Sequence, residues 1–256
     1  MDRTSEKWGL VDRSDEKNTT PNRPASSRRI NKMFNGFPKE TLEFLAELSE
    51  NNDRDWFRDN KPRYEAVVLE PAMELVEAMS EPLRKVSKHF SAVSKRSGGS
   101  IMRIYRDTRF SKNKTPYKTN LGIQFRHEFG KDVHAPGYYF HIAPDRIFAG
   151  AGIWRPGNPI LNKIRFLIDD RSDRWKRITR AKAFREMFDL QGGTLIRNPR
   201  DYEGDHPLIV DLKRKDHIGI CNLEPTELGT PDLVENLIAR YKIATPYVRF
   251  LCDALY

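Results

Sequence analysis

The sequence predicts an α+β fold, with N-terminal helices, a central antiparallel sheet and C-terminal helices. Three observations predict it. Helical patterning dominates from Phe34 to about Phe90 and again from Asn158 onward. Between these stretches lie short alternating runs, the mark of half-buried strands. Two of those runs are only a few residues apart, which suits antiparallel pairing and leaves no room for parallel crossovers. Helices and strands are therefore segregated along the chain, as in α+β domains.

Residues 1–32 hold Trp8, Leu10, Val11 and Ile30 and little else that packs. Such a composition cannot repay the entropy of ordering, so a disordered tail is expected there, followed by a single domain over 33–256. The domain opens at Phe34, with Pro38 suited to a first helical turn. Leu42, Leu45 and Leu48 recur on one helical face, and Asn51-Asn52 stop the helix. Asp53 is a natural cap for a second helix carrying Trp56 and Phe57, both expected in the core. A longer helix follows from Tyr64 to about Phe90, with breaks expected near Pro71 and Pro82.

Four strands are expected next. They are Ser100–Tyr105, a run through Leu121, Ile123 and Phe125, a run through Tyr138, Phe140 and Ile142, and Ile147–Ile153 after a Pro144-Asp145-Arg146 turn. Asn158 then caps a helix with Pro159 at its first position and an apolar stripe of Ile160, Ile164 and Leu167. Further helical signals sit at Ala181–Phe188, Thr230-Pro231 and Thr245-Pro246, and an extended piece covers His217 to Leu223.

The composition bounds the function. No run approaches the length of a membrane span, and the N-terminus lacks the apolar core of a signal peptide, so a cytoplasmic protein without membrane association is expected. Two cysteines without ligand spacing argue for neither a disulfide framework nor a zinc site, and no cofactor motif is seen. The formal net charge is +9, and residues 95–118 alone carry eight cations against Asp107, a net +7. Such a patch suits an anionic partner.

The basic block runs Arg103-Ile-Tyr-Arg106-Asp-Thr-Arg109-Phe-Ser-Lys112-Asn-Lys114-Thr-Pro-Tyr117-Lys118. Guanidinium forks and ammonium groups on a loop held between strands can surround a phosphate or carboxylate. Arg103, Arg106, Arg109, Lys112, Lys114 and Lys118 are the candidate anion ligands, with Tyr117, Tyr139 and Trp154 as candidate walls. His141 shares a strand face with Tyr139 and is the candidate proton-transfer group, since its unperturbed pKa lies near neutrality. Gly150-Ala-Gly152 lacks a dinucleotide fingerprint. It reads instead as a strand that lets another backbone or a ligand come close.

Several of these segments together resemble an uncharacterised conserved family, one of the numbered domains of unknown function. The likeness rests on Phe44-Leu45, Asn51-Asn52, Trp56-Phe57, Asn60-Lys61 and Tyr64, then on the Arg103–Lys118 block. It continues through Tyr138-Tyr139-Phe140-His141 and Gly150-Ala-Gly152-Ile-Trp154-Arg-Pro156. It covers about residues 34–256 and implies no settled activity. The family block carries an Asp where this chain has Asn113. The expectation is an anion-binding domain for a phosphate-bearing ligand, with or without catalysis. Nucleic-acid binding is the alternative, and a scaffold docking an acidic protein is a further one.

Overall fold

In a computed structural model, residues 34–96, 98–128 and 135–255 are described. The expected tail over 1–32 lies outside them. The described chain is α+β, as the sequence predicts. Helices α1 (Glu40–Glu50), α2 (Arg54–Tyr64) and α3 (Glu70–Val86) come first. Strands β1 (Phe90–Ser91), β2 (Leu121–His127), β3 (Gly137–Ile142) and β4 (Ile147–Ile153) follow. Next are α4 (Asn158–Asp170), α5 (Ser172–Thr179), α6 (Lys182–Met187), β5 (Asp189–Gln191) and α7 (Ile209–Leu212). The chain closes with β6 (His217–Asn222), α8 (Pro225–Leu228) and the long α9 (Leu233–Asp253).

Asp53 caps α2 as expected, accepting the backbone N–H groups of Asp55 and Trp56 at 2.9 Å each. The break expected at Pro71 is instead a π-helical turn over Glu65–Leu69. In α-helical register Pro71 would face the Val67 carbonyl, and it has no N–H to give. The buried Thr41 hydroxyl supplies the missing donor, at 2.6 Å. Pro82 does not break α3, and Pro246 lies inside α9 where a fresh start had been expected. Packing on both sides of those helices outweighs one missing bond.

The sheet is antiparallel throughout, in the order β1-β2-β3-β4-β6-β5. Its two faces follow from strand alternation. Tyr138, Phe140 and Ile142 of β3 point with Ile123, Phe125, Ala149 and Ala151 into the core. There α9 packs on β4 and α3 packs on α9. The Tyr241 hydroxyl donates to the Tyr139 carbonyl at 2.9 Å, and Tyr138 and Thr245 share a hydrogen bond of 2.9 Å. The glycines of β4 serve close approach, as the sequence suggests. Gly152 has φ +127°, and a Cβ there would collide with the His217 carbonyl on β6.

Three local expectations are corrected. Ser100–Tyr105 is not a strand, because its two ends pair with different partners. The segment makes only isolated bridges, Ile101 with Ile123 and Tyr105 with Tyr117. Helix α4 is capped by Gly157, with Asn158 already its first helical residue. Its buried stripe is Leu161, Ile164, Arg165 and Ile168, rotated from the expected Ile160 and Leu167, which stay half-buried. Trp56 is half-buried against Phe44, with ring centroids 5.6 Å apart, while Phe57 is fully buried.

Candidate functional site

The basic block becomes a loop closed at its neck by backbone pairing. Lys118 N–H donates to the Ile104 carbonyl at 2.7 Å, and Arg106 N–H donates to the Pro116 carbonyl at 2.9 Å. The neck is also held from outside. Asn52, at the α1–α2 corner, donates its amide to the Tyr117 carbonyl and accepts the Tyr117 N–H, both at 3.0 Å. The Tyr117 ring stacks on Phe57 at 4.1 Å. The two longest sequence motifs therefore meet, since the asparagine and phenylalanine of the helical one grip the tyrosine of the basic one.

Between them runs a groove of about 660 Å³. Arg54 and Asp53 line one side, with Arg106, Lys114 and Tyr105 on the other and Tyr117 at the base. Asp53 is already engaged as the cap of α2. Arg106 donates to the Thr115 hydroxyl, and Lys114 donates to the Thr108 carbonyl at 2.9 Å. Asn113 accepts from both the N–H and the hydroxyl of Thr115, each at 2.9 Å. An aspartate at this position could accept the same two bonds.

The remaining candidates are elsewhere. Arg109 is exposed and paired with Asp107 at 2.7 Å, and that hydrogen bond holds the Asp107 carboxyl down at about 2. Lys112 is exposed on the outer loop, and so is Arg103. Lys118 is half-buried and its ammonium is pushed down, first by desolvation and then by the charge of Arg103.

His141 is apart from the groove, on the sheet face away from α9. Its ring stacks on Phe148 at 4.6 Å, and Nδ1 lies 3.1 Å from the Tyr139 hydroxyl and 3.4 Å from the Asn120 amide. An amide N–H can only donate, so Nδ1 accepts and the proton of the neutral ring is on Nε2. Burial pushes its pKa down to about 4. Trp154 leaves that face as well. It follows the end of β4 and lies under the Arg155 guanidinium, 4.7 Å from its ring, at the lip of a second and larger cleft. The expected cations and walls thus fall into three places. The groove holds Arg106, Lys114 and Tyr117, the sheet face Tyr139 and His141, and the second cleft Trp154.

Sequence reasoning missed Asn52, Arg54 and Tyr105 as groove residues. Asn52 reads as a helix stop, and no local signal tells a stop from a clamp on a loop neck 65 residues away. Among the described residues no group of three His, Cys, Asp or Glu side chains is placed to hold a metal. No described helix is long and apolar enough to cross a membrane.

No curated protein and no solved structure matches the chain. A family model does match, over residues 40–250, and that span takes in the clamp, the basic loop, the His141 strand and the Trp154 turn alike. The chain therefore belongs to the conserved hypothetical protein family DUF2461.

Proposed function

We propose that the groove between the α1–α2 corner and the 104–118 loop binds a small phosphate-bearing molecule. The observation that carries this reading is the convergence of Arg54, Arg106 and Lys114 on one groove whose rim is fixed by the Asn52 clamp. Cations held close together repel one another, and a bound dianion relieves that repulsion while gaining charge-assisted hydrogen bonds. Tyr105, 53% exposed, offers a flat wall to the rest of the ligand. His141 takes no part in this reading, because it is not among the groove residues and a group with a pKa of about 4 is a weak base at neutral pH. A reducing compartment such as the cytoplasm fits the reading, given that Cys221 and Cys252 are both buried and unpaired.

The test is anion-specific stabilisation. Phosphate or sulfate should raise the melting temperature above the value in chloride at equal ionic strength, by linkage of about 2.7 kcal/mol at a hundredfold excess over Kd. Replacing Arg106 and Lys114 with Gln should remove that increment and leave the fold intact. Equal effects of all three anions on the parent protein would sink the proposal. A second reading is favoured by one observation. Phe110 is 95% exposed on the loop, beside exposed Arg109 and Lys112. Aromatic rings interleaved with cations suit stacking on a single-stranded nucleic acid. Oligonucleotide affinity that falls steeply with salt and drops on Phe110→Ala would select that reading instead.

A further inference from the structure

The larger cleft, about 1550 Å³, is on another part of the domain, between α4 and the segment around residues 192–202. Its walls include Trp154, Arg155, Arg165, Phe166, Tyr202 and Lys215. One wall is built around Asp216. This carboxylate is buried, and each of its oxygens takes a backbone N–H, from Arg155 at 2.7 Å and from Gly193 at 2.8 Å. The arrangement fixes the turn after β4 against the turn after β5. It also requires unusual backbone at both turns. Arg155 has φ +46°, and Gly192 has φ +114°, where a Cβ would collide with the Asp216 side chain. Non-glycine residues seldom hold a positive φ unless the surroundings impose it.

The facing wall carries Arg165, only 7% exposed on α4. Its Nε donates to the Leu212 carbonyl at 2.8 Å and Nη1 to Asn162 at 3.0 Å, but Nη2 is buried with no partner. Arg165 makes no ion pair among the described residues. A buried guanidinium with an unused donor and no counter-charge is costly, and burial depresses its pKa accordingly. Behind it His217 is fully buried with both ring nitrogens unpartnered. Burial, then the charges of Arg214 and Arg165, push its pKa down to about 3. Arg200 and Lys215 add positive charge to the lining, and Asp201 and Asp216 offset part of it, which leaves cations in excess with Arg155 and Arg165.

We infer that this cleft is a second binding site, for a small phosphate monoester carrying a planar ring, with Arg165 as the buried anion ligand and Trp154 at the mouth as the surface the ring meets. Arg165 lines the cleft, and its unpaired Nη2, closed off from solvent here, becomes a donor for the oxyanion once the guanidinium swings toward the ligand. The Asp216 bracket keeps the Arg155 and Lys215 side of the cleft rigid, and rigid walls lower the ordering cost of binding. The exposed ring of Phe166 on α4 extends the apolar part of the mouth.

Calorimetric titration of the full chain with adenosine monophosphate, adenosine and inorganic phosphate tests this. The monophosphate should bind saturably and more tightly than either fragment. Arg165→Met should weaken it by about thirtyfold or more, the effect expected when one partner of a buried charge pair is removed. A parallel titration of the Arg106→Gln chain, which disables the other groove, should still show a saturable monophosphate site that Arg165→Met weakens. If Arg165→Met fails to fold, Arg155→Asn combined with Lys215→Ala serves in its place, because Asn tolerates the left-handed backbone at 155. No saturable monophosphate binding, equal affinity for adenosine, or full affinity in the folded variants overturns the inference. So does loss of binding in Arg106→Gln alone, which would assign the ligand to the 104–118 groove.

Discussion

Replacing Asn52 with Ala should loosen the basic loop without touching any of its cations. The Asn52 side chain makes two hydrogen bonds, both to the backbone of Tyr117, a residue 65 positions away and itself 5% exposed. Alanine leaves an N–H and a carbonyl without partners at the loop neck. Each unsatisfied buried group costs about 1–3 kcal/mol, less whatever water recovers at this part-buried site, so a loss of about 2–4 kcal/mol is expected. For a domain of this size that lowers the melting temperature by roughly 4–16 °C. Asn52→Asp should cost at least as much, since it keeps the acceptor but sets a carboxylate oxygen against the Tyr117 carbonyl. Denaturant unfolding gives the stability change. Hydrogen exchange should show faster exchange at Arg106, Tyr117 and Lys118, the amides that close the neck, with the β2–β4 amides little changed. Phosphate stabilisation should fall with it, although every cation remains. A stability change under about 0.5 kcal/mol, or uniform exchange across the sheet, would refute the clamp.

Further outcomes follow from the same geometry. Thr41→Val should cost about 1–3 kcal/mol in chemical denaturation, because the Val67 carbonyl facing Pro71 loses its only side-chain donor. Phe57→Ala should cost about 3–5 kcal/mol, and Trp56→Ala clearly less, since Trp56 is half-buried and Phe57 is packed between Tyr64 and Tyr117; equal losses would place Trp56 in the core after all. Histidine NMR should find His141 still neutral at pH 5.5 in the native state, and a midpoint near 6.5 would show that it is solvated. Its folded pKa of about 4 lies below the unfolded value, so the unfolded chain binds the extra proton first. Stability should therefore be lost as pH falls from about 6.5 toward 4, and His141→Gln should flatten part of that slope.

The architecture was legible where local pattern and tertiary demand agree. The β2–β4 meander reads directly from alternation and short turns, and the Asp53 cap reads from one residue type at one place. The misses are instructive in the opposite sense. Ser100–Tyr105 alternates, yet it is pinned to β2 by Ser100 and Met102 and then turns away to meet Pro116–Lys118. No period within six residues can announce two different partners. Prolines at 71 and 82 read as breaks, because their local cost is fixed, and Thr245-Pro246 as a helical signal rather than the interior of one long helix. The compensation at Pro71 comes from Thr41, thirty residues earlier, and so is invisible locally.

The candidate site residues show the same division more sharply. The sequence identifies Arg106 and Lys114 because charge density is a local quantity, but charge density says nothing about convergence. Arg103, Arg109 and Lys112 carry the same signal and point outward, Arg109 into a bond with Asp107 that takes up both oxygens of that acid. What selects Arg106 and Lys114 is the neck, and the neck depends on Asn52 and Phe57, which belong to a different motif. The second cleft is harder still to read. Arg165 lies in a helix whose apolar stripe conceals it, and it becomes conspicuous only once burial leaves Nη2 without a partner. Asp216 looks like any acid beside a basic run until both its oxygens are found on backbone N–H groups from two distant turns. Both candidate sites therefore rest on the same construction, a polar side chain that grips remote backbone and fixes the wall on which cations stand. In each, the grip residue and the charge residue can be removed separately, and the two losses should differ. Removing the charge should abolish the proposed anion binding in a stable fold. Removing the grip weakens the fold and the binding together.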